Sequence, residues 1–199
     1  MVDKKGRILD GDDLLYTLIS RNSIELQNNL YKGVVGTLMT NKSLENFLEN
    51  QGIGFIRTEV GDKYVIKALR ERRWILGGEP SGHIICLDHT TTGDALITSV
   101  KLLESLKDID FDISKALIDF TKLPQQLISF EVDDPQKILM NPKVRSEISK
   151  LEKKLGNEGR VLIRPSGTED LLRVMVEAST KELADDLAKE LSEFIRKAA

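Results

Sequence analysis

The feature that most constrains the fold is an alternation of short apolar runs with amphipathic runs between residues 33 and 107. Short apolar runs bounded by Gly, Asn or Asp are typical of buried strands, whereas apolar residues spaced three and four apart indicate helices. The predicted strands are 33–40, 53–60, 74–78 and 83–88, and the predicted helices are 41–52, 62–73 and 92–107. Such an order predicts an α/β domain of βαβ units with a mainly parallel mixed sheet.

The pattern changes after the polar, proline-containing stretch "TKLPQ" at 121–125. A short helix at 112–120 precedes it. The predicted elements beyond it are a strand at 126–132, a helix at 136–155, strands at 160–164 and 171–178, and a helix at 181–197. This order predicts a small α+β domain with an antiparallel sheet. We therefore expect two domains, 1–122 and 123–199.

The first residues resemble the returning half of a β-hairpin, with "KKG" as its turn and "RIL" as its strand. The partner strand is expected upstream of Met1, so the chain is predicted to be part of a longer protein. Asp10, Asp12 and Asp13 follow in "LDGDDLL". They suit either a metal loop or a helix start, and helix capping is favoured because acidic residues stabilise a first turn.

Composition excludes several classes of protein. The net charge of −3, from 29 basic and 32 acidic residues, gives no global basic field for nucleic acid. No apolar run is long enough for a membrane helix, and no signal peptide is evident. The single cysteine, Cys86, excludes an intramolecular disulfide and is predicted to be a small buried thiol. A cytoplasmic protein is expected.

The turn "RPSGTEDLLR" carries more polar groups than a plain hairpin needs. Arg164 offers a fork of donors suited to phosphate oxygens, and Ser166 and Thr168 add hydroxyl groups. Gly167 lets backbone N–H groups approach an anion, and Arg173 is a candidate second cation. The turn is therefore a candidate phosphate site, and the alternative is an ornate turn with a surface arginine.

The loop in "LGGEPSGHIICLD" is a second candidate site. Glu79 can accept hydrogen bonds from two adjacent sugar hydroxyls, and Ser81 can donate and accept. His83 is a possible general acid or base, because imidazole titrates near neutrality. Its alternative role is structural, as a half-buried residue at a strand start. The spacing does not match a G-x-S-x-G nucleophile elbow, which disfavours a serine hydrolase.

Two further loops carry weaker signals. In "RTEVGDKYV", Asp62 and Lys63 either border a polar ligand site or serve as a helix cap and a solvated side chain. In "DHTTTGD" at 88–94, a structural role is favoured, with Thr91 or Thr92 as the helix cap and His89 as an exposed loop residue.

Taken together, "TEVGDKYV", "GGEPSGHI", "DHTTTGDALI" and "RPSGTEDLLRVMVEA" resemble the α-D-phosphohexomutase family in order and spacing. The resemblance implies the third and fourth of four family domains, the third for sugar recognition and the fourth for phosphate. It implies that the substrate-binding residues are Gly61, Asp62, Glu79, Ser81 and His83. The implied phosphate-binding residues are Arg164, Ser166, Gly167, Thr168 and, more weakly, Arg173. Asp170 and Ala95 stand where the family usually has Pro and Gly.

The resemblance also implies a reaction, and points to the branch that interconverts glucosamine 6-phosphate and glucosamine 1-phosphate. That reaction uses a phosphoserine, a bisphosphate intermediate and Mg²⁺, and feeds amino-sugar nucleotide and peptidoglycan precursor synthesis. Neither the family's serine nor its D-G-D-G-D-R metal loop matches this sequence, so no metal ligand is expected here. The segment is expected to bind a sugar phosphate, to lack catalysis alone, and to need the missing N-terminal domains.

Two alternatives stay open at this point. The chain could belong to a sister mutase acting on glucose or mannose phosphates. It could instead be a non-catalytic module that binds phosphosugars. A homodimer is compatible with either.

Overall fold

The computed structural model describes residues 1–21, 32–166 and 170–198. The chain divides into two units, Met1–Thr121 and Lys122–Ala199. Within the part described, every helix is too short or too polar to cross a bilayer.

The first unit contains a four-stranded sheet. Its strands are β1 (Gly33–Thr37), β2 (Gly54–Thr58), β3 (Leu76–Gly78) and β4 (Ile84–Cys86). Its α-helices are α1 (Gly11–Arg21), α2 (Lys42–Asn50), α3 (Asp62–Arg72), α4 (Ala95–Leu106) and α5 (Ile113–Ala116), with a 3₁₀ turn at Lys107–Ile109. The strand order is β2-β1-β3-β4, and β4 alone of these strands runs antiparallel to its neighbour. The predicted α/β class and mixed, mainly parallel sheet are confirmed.

Both faces of this sheet are covered. Every residue of β1 is buried, which explains its unbroken apolar sequence. On one face, Val34 packs in a cluster with residues of α1, α2 and α4. On the other face, Val35 packs with Val65 and Leu69 of α3. Cys86 is buried in the first cluster, as predicted.

The start of α1 follows the expected capping chemistry, whereas the start of α4 differs from the prediction. The side chain of Asp10 accepts hydrogen bonds from the amides of Asp12 and Asp13, so these acids form a helix start. Helix α4, however, begins three residues later than predicted and is capped by Asp94. The prediction of Thr91 or Thr92 as the cap was wrong, because three neighbouring residues offer similar cap chemistry and only the fold selects among them.

The prediction for the N-terminal hairpin was also wrong. Val2 forms an antiparallel bridge with Ile8, and the amide of Leu9 donates to the carbonyl of Met1. The partner of "RIL" is therefore the stretch at Met1–Val2, not a strand upstream of it. Gly6, at φ +81°, closes this tight turn.

The second unit contains a three-stranded antiparallel sheet in the order β5-β7-β6. Its strands are β5 (Gln125–Glu131), β6 (Arg160–Pro165) and β7 (Leu171–Glu177). Its α-helices are α6 (Pro135–Met140), α7 (Pro142–Leu155) and α8 (Lys181–Ala198), with a 3₁₀ turn at Gly156–Glu158. Leu172, Val174 and Val176 of the central strand pack with α8 in one core cluster. The predicted antiparallel sheet is confirmed.

The single helix predicted over 136–155 is instead two helices. Asn141, at φ −63° and ψ 121°, is extended and ends α6. Pro142 disfavours a helical conformation for the residue before it, so the chain must leave the helix there. The Asn141 side chain then accepts a hydrogen bond from the amide of Lys143 and caps α7. The prediction was wrong because it ran a helix through an Asn-Pro pair.

Candidate functional site

The loop Glu79–His83 connects β3 to β4 at the edge of the first sheet. The amide of Glu79 donates to the carbonyl of His83, and the amide of Gly82 donates to the carbonyl of Glu79. Ser81 and His83 are exposed, and the Ser81 Oγ lies 3.1 Å from His83 Nδ1. The loop is thus closed by its own backbone and presents a hydroxyl and an imidazole to solvent.

Glu79 behaves differently from its loop neighbours. It is only 6% exposed, and its Oε1 accepts a hydrogen bond of 2.8 Å from the Gly61 amide. Gly61 precedes α3 and is its N-cap, whereas Asp62 is the exposed first residue of that helix. The structure therefore brings the loop before α3 and the loop after β3 into direct contact.

Two structural alternatives from the sequence are corrected here. His83 is exposed rather than half-buried, and its ring contacts Ser81 rather than a backbone group. Asp62 does not cap α3, although its Oδ1 accepts from the neighbouring Lys63 amide. The acid–base role of His83 and the ligand role of Asp62 stay predictions.

The carboxylate of Glu79 has one oxygen committed and one available. Oε1 is bound to Gly61, and no hydrogen bond to Oε2 is formed by any described residue. A buried carboxylate is unfavourable unless hydrogen-bonded or neutralised, so this oxygen suits hydroxyl donors from a ligand. The two lone pairs of Oε2 can accept two such donors.

The second candidate site lies at the end of the strand pair where β6 finishes and β7 begins. Arg164 and Arg173 are direct cross-strand partners in this ladder. The amide of Ser166 donates to the carbonyl of Leu171 at 2.7 Å, and Arg173 Nη2 donates to Ser166 Oγ at 3.3 Å. Three of the predicted phosphate residues are therefore together. Gly167 and Thr168 lie outside the described residues.

The electrostatics of this turn favour an anion. Like charges directly opposite each other across an antiparallel pair are destabilising. No hydrogen bond or ion pair to the Arg164 guanidinium is formed by any residue that the structure describes. A phosphate group at this position would offset the repulsion, and a guanidinium binds it through two parallel hydrogen bonds.

An acidic cavity of about 860 Å³ lies at the same end of the second sheet. Glu131, Asp133 and Asp170 contribute carboxylates to its lining. These charges disfavour an anion, so the cavity itself does not suit phosphate. The arginine face of the strand pair is the better candidate.

Family comparison covers both units of the chain. The family description "Phosphoglucomutase/phosphomannomutase, alpha/beta/alpha domain III" matches residues 10–123, and the C-terminal domain of the same family matches residues 127–194. The chain belongs to this phosphohexomutase family. The fold class implied by the sequence resemblance is thereby confirmed.

Individual phosphohexomutases align with nearly the whole chain. The phosphoglucosamine mutase of Azoarcus sp. (strain BH72) is 45% identical over 189 residues, which cover 95% of this chain and 41% of that protein. The phosphoglucosamine mutase of Bacillus subtilis (strain 168) is 41% identical over 196 residues, 98% of this chain and 43% of that protein. The chain thus spans about two fifths of the length of these relatives.

A solved structure shows the same fold. The Aspergillus fumigatus N-acetylphosphoglucosamine mutase, in complex with GlcNAc-6P and magnesium, aligns with a TM-score of 0.78. The alignment covers 97% of this chain and 48% of that one, at 23% sequence identity. At this identity the likeness concerns the fold alone.

Magnesium does not fit the residues described for this phosphohexomutase chain. Among them, no group of three or more His, Cys, Asp or Glu side chains could hold a metal ion. The acids at the start of α1 are occupied otherwise, since Asp10 caps the helix and Asp12 accepts from the Asn41 amide. Asp13 accepts in turn from the Asp10 amide.

Sequence reasoning missed one contact at the first site. The amide of Gly11 donates to the carbonyl of Pro80 at 3.0 Å, so the start of α1 touches the Glu79 loop. These residues are far apart in the chain, and no local pattern signals the contact. The close approach of backbone at a glycine is the one physical clue.

Proposed function

We propose that this chain is the sugar- and phosphate-binding part of a phosphoglucosamine mutase, which interconverts glucosamine 6-phosphate and glucosamine 1-phosphate. The support is the 41–45% identity to relatives of that name over nearly the whole chain. The first unit is assigned to sugar recognition, and the second to phosphate binding. The whole enzyme is assigned to the cytoplasmic synthesis of amino-sugar nucleotides and peptidoglycan precursors.

In this reaction, a phosphoserine outside the chain transfers its phosphoryl group to a hydroxyl oxygen of the sugar monophosphate. The product is a sugar bisphosphate, and the serine recovers its hydroxyl group. After the bisphosphate reorients, the serine oxygen attacks its other phosphate, and the isomeric monophosphate leaves. Phosphoryl transfer depends mainly on positioning and electrostatic stabilisation, so the binding groups contribute directly to the rate.

This chain's own role is to hold the substrate in both orientations. Arg164, with Ser166 and Arg173 beside it, binds whichever phosphate is not reacting. Glu79 accepts hydrogen bonds from sugar hydroxyls through Oε2, and Ser81 provides a further donor or acceptor. Gly167 and Thr168 are assigned to the same phosphate group from their place in the motif. Asp62 and His83 are assigned to the border of the sugar site.

One observation carries the phosphate assignment. Arg164 faces Arg173 in register, while none of the described residues pairs with the Arg164 guanidinium. An arrangement that costs stability without a ligand is expected where a ligand binds. Mg²⁺ is assigned to the full-length enzyme, and the role proposed for this chain is to bind the substrate.

Calorimetric titration of the chain tests the proposal with three probes. Glucosamine 6-phosphate is expected to bind more tightly than inorganic phosphate, and unphosphorylated glucosamine least tightly, because phosphate and hydroxyl contacts both contribute. The chain alone is expected to give no isomerisation. Equal affinity for glucosamine and its 6-phosphate would contradict the phosphate assignment.

A second assay addresses the sugar. Turnover by the full-length protein is expected to be faster on glucosamine phosphate than on glucose or mannose phosphate. Faster turnover of mannose phosphate would assign the chain to a sister mutase instead.

A further inference from the structure

We infer that Gly11 and Gly61 are positioning residues for Glu79, fixing the loop and its carboxylate before any ligand arrives. The inference rests on the proposed function in one respect, since it takes Glu79 to be the group that binds sugar hydroxyls. Gly61 acts on the side chain, and Gly11 acts on the loop backbone.

Gly61 holds the carboxylate. Its amide lies 2.8 Å from Glu79 Oε1, and it adopts φ +131° and ψ 131°. Residues with a Cβ rarely adopt this conformation, so glycine allows the amide to point at the neighbouring loop. The consequence is that Oε1 is committed and the Glu79 side chain is restricted.

Gly11 holds the loop backbone. Its amide donates to the Pro80 carbonyl at 3.0 Å, and a Cβ on residue 11 would lie 1.8 Å from the Glu79 carbonyl oxygen. The obstructing atoms are backbone rather than a flexible side chain, so any larger residue would displace the loop. Glycine at this position therefore sets how closely α1 approaches Glu79.

The two contacts together leave one carboxylate oxygen of Glu79 available to a ligand. The backbone is fixed from residue 11 and the carboxylate from residue 61, so Oε2 is the atom left for hydroxyl donors. A side chain ordered in advance loses less conformational entropy on binding. Loosening either contact should therefore weaken sugar binding and leave phosphate binding at Arg164 unchanged.

The ligand-free test uses hydrogen exchange at the Gly61 amide, followed by NMR. Exchange is expected to be slow in the parent and in Glu79→Gln, because the amide oxygen of glutamine still accepts the bond. In Glu79→Ala it is expected to be at least about tenfold faster. Equally fast exchange in the parent and in Glu79→Ala would overturn the inference, whether or not sugar phosphate binds.

The ligand test compares Gly61→Ala with Gly52→Ala by calorimetry. Gly52 also has a positive φ, of +69°, and a Cβ added there would meet no atom within 4 Å, so it controls for replacing a positive-φ glycine away from the Glu79 loop. Gly61→Ala is expected to weaken glucosamine 6-phosphate on the order of tenfold while inorganic phosphate is unaffected. Gly52→Ala is expected to change neither affinity.

Gly11→Ala is expected to behave like Gly61→Ala and also to speed exchange at the Gly61 amide. If Gly11→Ala does not fold, Gly61→Ala and the Glu79 pair still decide the inference. Unchanged sugar-phosphate affinity in Gly61→Ala would overturn it while leaving the proposed function intact. Failure of the parent to bind glucosamine 6-phosphate would instead contradict the proposed function.

Discussion

The two ends of the β6–β7 strand pair place arginine in opposite situations. At one end, Arg160 lies across from Glu177, and two hydrogen bonds of 2.9 and 3.0 Å join the guanidinium to that fully buried carboxylate. At the other end, Arg164 lies across from Arg173. Both arginines lie on the same face, because side chains of a strand alternate and these positions are four apart.

The comparison distinguishes an arginine that stabilises the fold from an arginine that is available to bind a ligand. Arg160 is neutralised within the fold, so its loss would be felt as lost stability. Arg164 opposes another cation, so its loss would be felt when an anion binds. Glu79 represents a third situation, a buried acid held by a backbone amide from Gly61.

The largest expected effect is a loss of stability at the end of the strand pair where Arg160 contacts Glu177. Arg160→Met would leave the buried Glu177 without its guanidinium, and breaking a buried ion pair costs about 3–5 kcal/mol. Urea unfolding measures this loss. Arg164→Met is the matched control, expected to cost little because it removes a like-charge contact. An equally large loss of stability in Arg164→Met would contradict the difference proposed between the two arginines.

The second-largest effect is a loss of ligand affinity at the end where Arg164 faces Arg173. Arg164→Ala is expected to weaken inorganic phosphate and glucosamine 6-phosphate alike, by about 10- to 100-fold, because a charge-assisted hydrogen bond contributes about 1.5–3 kcal/mol. Arg164→Lys should recover part of this affinity, since it keeps the charge but loses the fork. Arg145→Ala removes an exposed arginine from α7 and should leave calorimetric affinities unchanged.

A smaller loss of ligand affinity is expected at Glu79. Glu79→Ala should weaken glucosamine 6-phosphate by about tenfold through lost hydroxyl contacts. Inorganic phosphate carries no sugar hydroxyls, so its affinity should not change. Equal loss for both ligands in calorimetry would mean that Glu79 acts on the phosphate site or on the fold instead.

The smallest effect belongs to an ion pair at the surface, between Lys4 and Asp112. Hydrogen bonds, first from Lys4 and then from Ser114, lower the pKa of Asp112 from 3.8 to about 2. The pair therefore adds stability above pH 3.8, and this contribution is lost as the pH falls through about 2.

Lys4→Met tests this pH dependence. The variant should be slightly less stable than the parent at neutral pH and nearly equal to it at about pH 1, because the carboxyl group is then almost fully protonated in both. Unfolding curves at the two pH values measure the difference. A difference that persists in acid would assign the effect to packing rather than to charge.

The sequence allowed the sheet types to be predicted and both candidate loops to be singled out, because each depends on local patterns. The buried strand "GVVGT" and the hydroxyl-rich turn at 164–168 are visible without a fold. The helix break at Asn141 is also indicated in the sequence, by Pro142, but the helix predicted over 136–155 ignores it. The contacts of Gly11 with Pro80 and of Gly61 with Glu79 were not predictable, because they depend on how distant segments pack.

The most direct test of the central claim is an amide NMR titration of the chain with glucosamine 6-phosphate, repeated in Arg164→Ala. In the parent, the amides of Arg164, Ser166 and Arg173 are predicted to shift on saturation, and in the variant these shifts are predicted to be lost at the same ligand concentration. Shifts confined to other residues, or equal shifts in parent and variant, would contradict the claim that this turn binds the phosphate.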